Sequence, residues 1–599
     1  MLKRLTRPEV PVELTWKVED IFATPEAWEA ELNAVAGSIG NITRYKGRLG
    51  EGPKMLLECM EAQEALQVRM SRVMSYASLN QSADAANPAY QTAAGRVGAL
   101  AAQIGAQISF FQPEVLNLPD GTLERYLKVE PGLEPFRRTI ERMIEEKPHL
   151  LGPETEKALA ALGEVLNAPS MIYQRSKATD MAFDPIVDSK GNTLPMSFAV
   201  YENVYETSPD IVLRRNAWAS FTKGLKSYQN TYGATWGTEV KKNVVLAKLR
   251  GFPSAVHMLL DRQEVTLEVY NNLHDIILKE IAPHMRRYAQ LRKKVLGLDK
   301  MLYCDIEAPL DPEFSPQTTY EEGAKIILDG IKIMGPEYTE IIAAGLKNRW
   351  IDLADNVGKS TGAFCNSVFG VHPYILITWT NSMRDALTLA HELGHAGQGV
   401  LSQRYQRPAN TRPSMFFIEA PSTINETIVG NSILSTSTDM WMRRWLIMQF
   451  LMTYYHNFVR HLIEGELQRR TYALAEKGQP ITANVLSKVK GEILEEFWAG
   501  EVEIDDGARL TWMRQPHYYS GLYPYSYSAG LTIGTAVAKT IQEEGKLAVD
   551  RWLSVLKAGG TKKPIELAKM AGVDMTKPDA IRGAVAYVGL LVDEVVKSF

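Results

Sequence analysis

The run SMRDALTLAHELGHAGQGV, residues 382–400, contains His391-Glu392-Leu393-Gly394-His395, an H-E-x-x-H spacing. On a helix, His391 and His395 stand one turn apart on the same face. Two imidazoles stacked in this way can close on one tetrahedral zinc ion. Glu392 sits about 100° around the helix from His391. A carboxylate there can hold a water on the metal and act as the general base of metal-assisted hydrolysis.

The spacing predicts a helix over this run. Ser382 followed by Asp385 resembles a capping box with the shorter acid. Met383, Ala386, Leu387, Ala390, Leu393, Gly394, Gly397 and Val400 form an apolar or small stripe. Thr388, His391, Glu392, His395 and Gln398 form a polar one. A buried helix has no use for a polar stripe unless something polar faces it. Gly394 and Gly397 each weaken a helix interior by about 1 kcal/mol relative to Ala. A close-packed neighbour on that side would offset the cost, and one is expected.

Composition narrows the classes of function. At 599 residues the chain exceeds a single core, so more than one structural unit is expected. Lys+Arg 66 against Asp+Glu 70 gives a net charge of −4, which suits neither a nucleic-acid partner nor an acidic membrane. Cys59, Cys304 and Cys365 are far apart, with no C-x-x-C, which argues for a reducing compartment and against a cysteine metal site. The basic start is followed by no apolar run, so no signal peptide is read, and no run is long enough to span a membrane. A cytoplasmic enzyme is the expectation.

Residues 1–20 read as extended. Helix-type spacing then runs over Glu26–Gly37, Pro53–Ser82, Pro88–Phe111 and Leu133–Glu146. We expect an α-helical N-terminal domain over 1–179, with room for a long antiparallel hairpin, as scaffold and cavity wall. Met181–Val187 and Thr193–Ala199 flank a loop and predict a β-hairpin. Helices return from about Ser208 to Leu346. Gly358–Cys365 reads as a small-residue loop or strand, and Tyr374–Thr380 as a β-branched and aromatic strand. If that strand is a sheet edge, an extended peptide could pair with it.

Two histidines and a water leave one zinc position for a protein ligand. The candidates lie in Met415–Glu426, where Glu419 and Glu426 would share a helix face. One can bind metal while the other accepts the N–H of a ligating histidine. Surface acids are the plain alternative, but the flanking residues are apolar and buried acids need a partner.

The H-E-x-x-H motif followed by Glu419-Ala420-Pro421-Ser422 resembles the thimet-oligopeptidase (M3) family of zinc metallopeptidases, the oligoendopeptidase F branch in particular. Lys147–Leu151, Gly358–Cys365 and His517–Gly530 support the likeness, which is strongest over 350–430. It implies one zinc ion held by His391, His395 and Glu419, with Glu426 orienting a ligating histidine and Glu392 as base. It implies that His517 and Tyr525, with Tyr523 next, bind the substrate and its oxyanion. The fold it implies is mainly α: a helical zincin-type peptidase with a small β-sheet beside a deep channel, the catalytic domain covering 180–599. The expected substrates are short peptides cut at internal bonds. Trimming from chain ends would need charged groups to anchor a terminus, and the sequence places none. A silent peptide carrier would lack the base, a ligand or the donor segment, and all are present.

Overall fold

The computed structural model describes residues 4–599. Helices dominate, and the described strands form one two-stranded and one three-stranded sheet. The expected helices at the N-terminal end are found at Pro25–Ser38, Pro53–Ala83, Pro88–Ile108 and Arg137–Glu146. Pro53–Ala83 and Pro88–Ile108 are joined by four residues and pack on each other as the antiparallel hairpin. The expected hairpin after 180 is present but short: Ile186–Val187 pairs antiparallel with Thr193–Leu194. Of the extended 1–20 stretch, residues 1–3 lie outside the description, and the rest runs as short 3₁₀ turns along the sheet region. There Lys17 N–H donates to Arg349 and Leu353 N–H donates to Leu14.

The apolar core falls into one large group, from Tyr173 to Val595, and smaller groups beneath the N-terminal helices. A further group, with Trp16, Leu79, Tyr374 and Leu376, joins the helical hairpin to the three-stranded sheet. Polar contacts fasten the same joint. Ala85 N–H donates to Gly358, Ser360 N–H to Ser82, and Arg72 Nε to Phe369 O.

The sheet corrects one expectation. Tyr374–Leu376 is its central strand, parallel to Ile351–Asp352 and antiparallel to Phe364–Asn366. All three of its residues are buried, as in a strand covered on both faces. Phe364–Asn366 is the edge strand nearest the cavity described below.

The H-E-x-x-H run lies on a helix spanning Met383–Tyr405. Its start is the capping box: Ser382 Oγ accepts from Arg384 N–H, and Asp385 accepts from the backbone of Thr380 and Ser382. The close neighbours implied by its glycines are present. A Cβ at Gly394 would lie 2.5 Å from Pro421 O and 2.6 Å from Ser422 Cα. One at Gly397 would lie 2.5 Å from the Tyr338 ring. Pro421 and Ser422 open the next helix, Ala420–Thr436, so the two helices meet backbone to backbone. Because the facing atoms are main chain, Gly394→Ala cannot be absorbed by a rotamer change. We expect it to cost about 1–3 kcal/mol of stability, read as a lower thermal midpoint; an unchanged midpoint would contradict this packing.

Candidate metal centre and active site

The crossing at Gly394 sets the geometry of the site. It carries Glu419, the residue capping the second helix, up to the imidazoles of the first. Glu419 Oε2 lies 3.5 Å from His391 Nε2 and 3.6 Å from His395 Nε2. The two rings stand 5.3 Å apart at 80°. One donor atom from each of His391, His395 and Glu419 falls within 4.8 Å of the others. Two nitrogens and one carboxylate oxygen, open to a cavity on the remaining side, form a group that could hold a metal ion.

A third helix closes behind them. Pro524–Glu544 crosses so tightly that a Cβ at Gly530 would lie 2.7 Å from Glu419 Cβ. Gly530 is a buried helix position whose missing side chain admits Glu419. Ser422 Oγ donates to Glu419 Oε2 at 3.2 Å. Glu426, two turns on, lies 3.3 Å from His391 Nδ1, and Thr453 Oγ1 donates to its other oxygen at 2.9 Å. Each acid of the pair therefore meets a different nitrogen of His391.

Charge and burial act together here. Burial alone would push the His391 imidazole down, but its hydrogen bonds to the Glu419 and Glu426 carboxylates hold it well above its ordinary range. Burial likewise resists ionisation of Glu419, and the two imidazoles overcome it, keeping that carboxyl well below the usual carboxylate range. This is the charge pattern that a cation stabilises. Glu392 is buried beside them, and burial outweighs the pull of both histidines to raise its carboxyl.

His391, Glu392, His395 and Glu419 lie on the wall of a cavity of about 1150 Å³. The facing wall comes from far away in sequence. Gln63, Gln67, Met70, Ser71, Met74 and Ser78 line it from one face of Pro53–Ala83, and Ile104 and Ile108 line it from the next helix. The edge strand Phe364–Asn366 lines it as well, fixed to the helical wall where Asn366 Nδ2 donates to Ser75 Oγ at 3.3 Å.

The tyrosine segment departs from expectation. Tyr525 does not line the cavity. Its hydroxyl donates to Gln263 Oε1 at 2.6 Å, and its ring packs edge-on against Tyr270 in the core. The reason is helical phase. Pro524 occupies the first helical position, so Tyr523 and Tyr527 share a face and Tyr525 points away. Tyr527 lines the cavity, its ring 5.0 Å from that of Tyr523 and stacked 4.3 Å from His461. His517 stands behind them, with Nε2 3.5 Å from the Tyr527 hydroxyl and Nδ1 3.0 Å from Gln515 Oε1. Burial and nearby Lys177 keep its imidazole below its ordinary range. Its turn is anchored by Tyr518, whose hydroxyl donates to Glu464, itself paired with buried Lys490.

Tyr527 is thus the cavity-facing ring of this segment, and Asn457 lines the cavity as well; neither is singled out by the sequence reading. Pro524 was the available signal for Tyr527. The structure predicts that Tyr525→Phe leaves the half-buried Gln263 oxygen without its donor, at a cost of about 0.5–1.5 kcal/mol in denaturant unfolding. No loss of stability would mean that the ring is not held as described.

The sequence profile of peptidase family M3 matches residues 204–587, and that of oligopeptidase F matches residues 114–183. Oligopeptidase PepF of Bacillus subtilis is 33% identical over 578 residues, covering 96% of this chain and 86% of that protein. Crystallised oligoendopeptidase F from Enterococcus faecium superposes with a TM-score of 0.76 at 26% identity, covering 96% of this chain and 99% of that one. A Chlamydophila abortus structure described as a peptidase shares the fold over the full length of both chains, with a TM-score of 0.89 at 24% identity.

Proposed function

The chain belongs to peptidase family M3, and from that premise we propose a zinc-dependent endopeptidase that cuts internal bonds of short oligopeptides. The observation that carries the reading is the convergence of His391, His395 and Glu419 on one point of the cavity wall, with Glu392 beside it. These three side chains would hold one zinc ion. Bound there, zinc would polarise the scissile carbonyl and lower the pKa of a water toward about 7.

The remaining work falls to the chain's own groups. Glu392 takes the proton of the attacking water and passes it to the leaving amine nitrogen. Its raised carboxyl suits a group that must both accept and return a proton. Glu426 fixes His391 through Nδ1, leaving Nε2 as the donor atom. The Tyr527 hydroxyl, held by Tyr523 and His517, donates to the carbonyl oxygen as it gains negative charge. Phe364–Asn366 pairs with the peptide backbone, so affinity comes from main-chain bonds and tolerates varied side chains. The Pro53–Ala83 helix facing the site leaves a channel suited to a single extended chain, which restricts substrates to short peptides. No helix among the described residues is long and apolar enough to cross a membrane. The three unpaired cysteines support a reducing, cytoplasmic setting.

Glu392→Gln is expected to keep zinc and lose at least about a thousandfold in kcat on a quenched peptide, because it removes the proton carrier alone. Activity within a few-fold of the parent would remove Glu392 as base. Glu419→Ala is expected to lower zinc content after dialysis, read by elemental analysis; one ion per chain retained would remove it as a ligand. Tyr527→Phe should lower kcat about ten- to a hundredfold and Tyr525→Phe should not, read from steady-state kinetics.

A further inference from the structure

Beyond the catalytic group, the wall of the cavity is almost free of charge. Its polar residues are amides and hydroxyls, such as Gln63, Gln67, Ser71 and Asn366. The exception is Arg412. Its side chain is exposed to the cavity, and among the described residues nothing pairs with it. Other arginines are tied up: Arg407, five residues earlier, holds Glu64, Arg460 holds Glu307 and Arg514 holds Glu206.

The backbone under Arg412 is fixed while its side chain is free. Gly560 lies against the Arg412 carbonyl so closely that any Cβ would collide with it, and Gly560 N–H donates to Asn410 O at 2.7 Å. Asn410 Nδ2 donates to Pro135 O at 2.7 Å, and Pro413 follows. Gln398 Nε2 reaches Thr411 O at 3.4 Å. Gln398 lies three residues past His395, so this segment runs beside the metal helix about one turn from the site. A rigidly mounted, unpaired cation beside a reacting peptide is a specificity element.

Resting on the peptidase reading above, we propose that Arg412 binds a carboxylate of the substrate peptide, close to the scissile bond, and so ranks the peptides this enzyme takes. The planar guanidinium accepts a carboxylate in bidentate fashion. That carboxylate has two sources, an Asp or Glu side chain or the C-terminal carboxylate of a short peptide. With a chain end as ligand, Arg412 would supply the terminus anchor that the sequence alone does not reveal.

The test uses the zinc-loaded enzyme and quenched peptides in matched pairs. One series exchanges Asp for Asn at each position in turn, and the other exchanges a C-terminal acid for its amide at varied distance from the cut. The readout is the kcat/KM ratio within each pair. We expect a ratio of about five- to tenfold in favour of the carboxylate in at least one pair, shrinking as salt is raised. Arg412→Gln should bring it toward one, and Arg412→Lys should keep part of it. A ratio confined to the Asp/Asn series assigns the side chain, and one confined to the acid/amide series assigns the chain end. A ratio near one in every pair, or one that Arg412→Gln leaves intact, overturns the proposal and leaves the peptidase reading standing. Absence of cleavage of any peptide overturns the peptidase reading instead. Anisotropy of the same labelled pairs on Glu392→Gln protein then still reports whether Arg412 distinguishes them.

Discussion

Two helices cross at Gly394 with no side chain between them, and the site depends on that crossing. A methyl group there would push the Pro421–Ser422 backbone away and take Glu419 with it. Gly530 repeats the device on the opposite side, where the Pro524–Glu544 helix presses on Glu419. The carboxylate is thus clamped between two bare stretches of helix. Glycine costs roughly 1 kcal/mol per helix-interior position, and here the cost is offset by a contact that no other residue allows. Glu419 and Glu426 then reach opposite nitrogens of His391 because a single helix carries both, two turns apart.

A buried cluster of two imidazoles and three carboxylates needs positive charge. Burial lowers the His391 imidazole, and the Glu419 and Glu426 carboxylates more than offset it. A divalent cation would meet the same need with three ligands at once. The charge pattern of the cluster and its donor chemistry therefore point the same way.

How much of this was legible depended on distance along the chain. The metal helix could be read from one window, because its cap, its stripes and its histidine spacing all lie within residues 382–400. Glu419 and Glu426 could be narrowed to a pair from their shared helix face, and only the family resemblance chose between them; the fold brings Glu419 to Nε2 of both histidines and Glu426 to Nδ1 of His391. Tyr525 was named by the family resemblance rather than by its phase, although Pro524 marks a helix start and puts Tyr523 and Tyr527 on the other face. Tyr374–Leu376 was taken as a possible edge, although an unbroken apolar run signals a strand covered on both sides. The facing wall, from Gln63 to Ser78, carries no local sign of its role; it is opposite the metal centre only because the hairpin is fastened to the sheet at Gly358 and Phe369. Arg412 also sits in no motif, and only its lack of a partner among the described residues sets it apart.

The proposed activity requires a single ion shared by His391, His395 and Glu419. Anomalous X-ray diffraction from crystals of the purified protein, recorded on both sides of the zinc absorption edge, tests this directly. We expect one peak per chain, about 2.0–2.2 Å from His391 Nε2, His395 Nε2 and a Glu419 oxygen. A zinc peak elsewhere, or protein that turns over peptides with no peak at these residues, would contradict it.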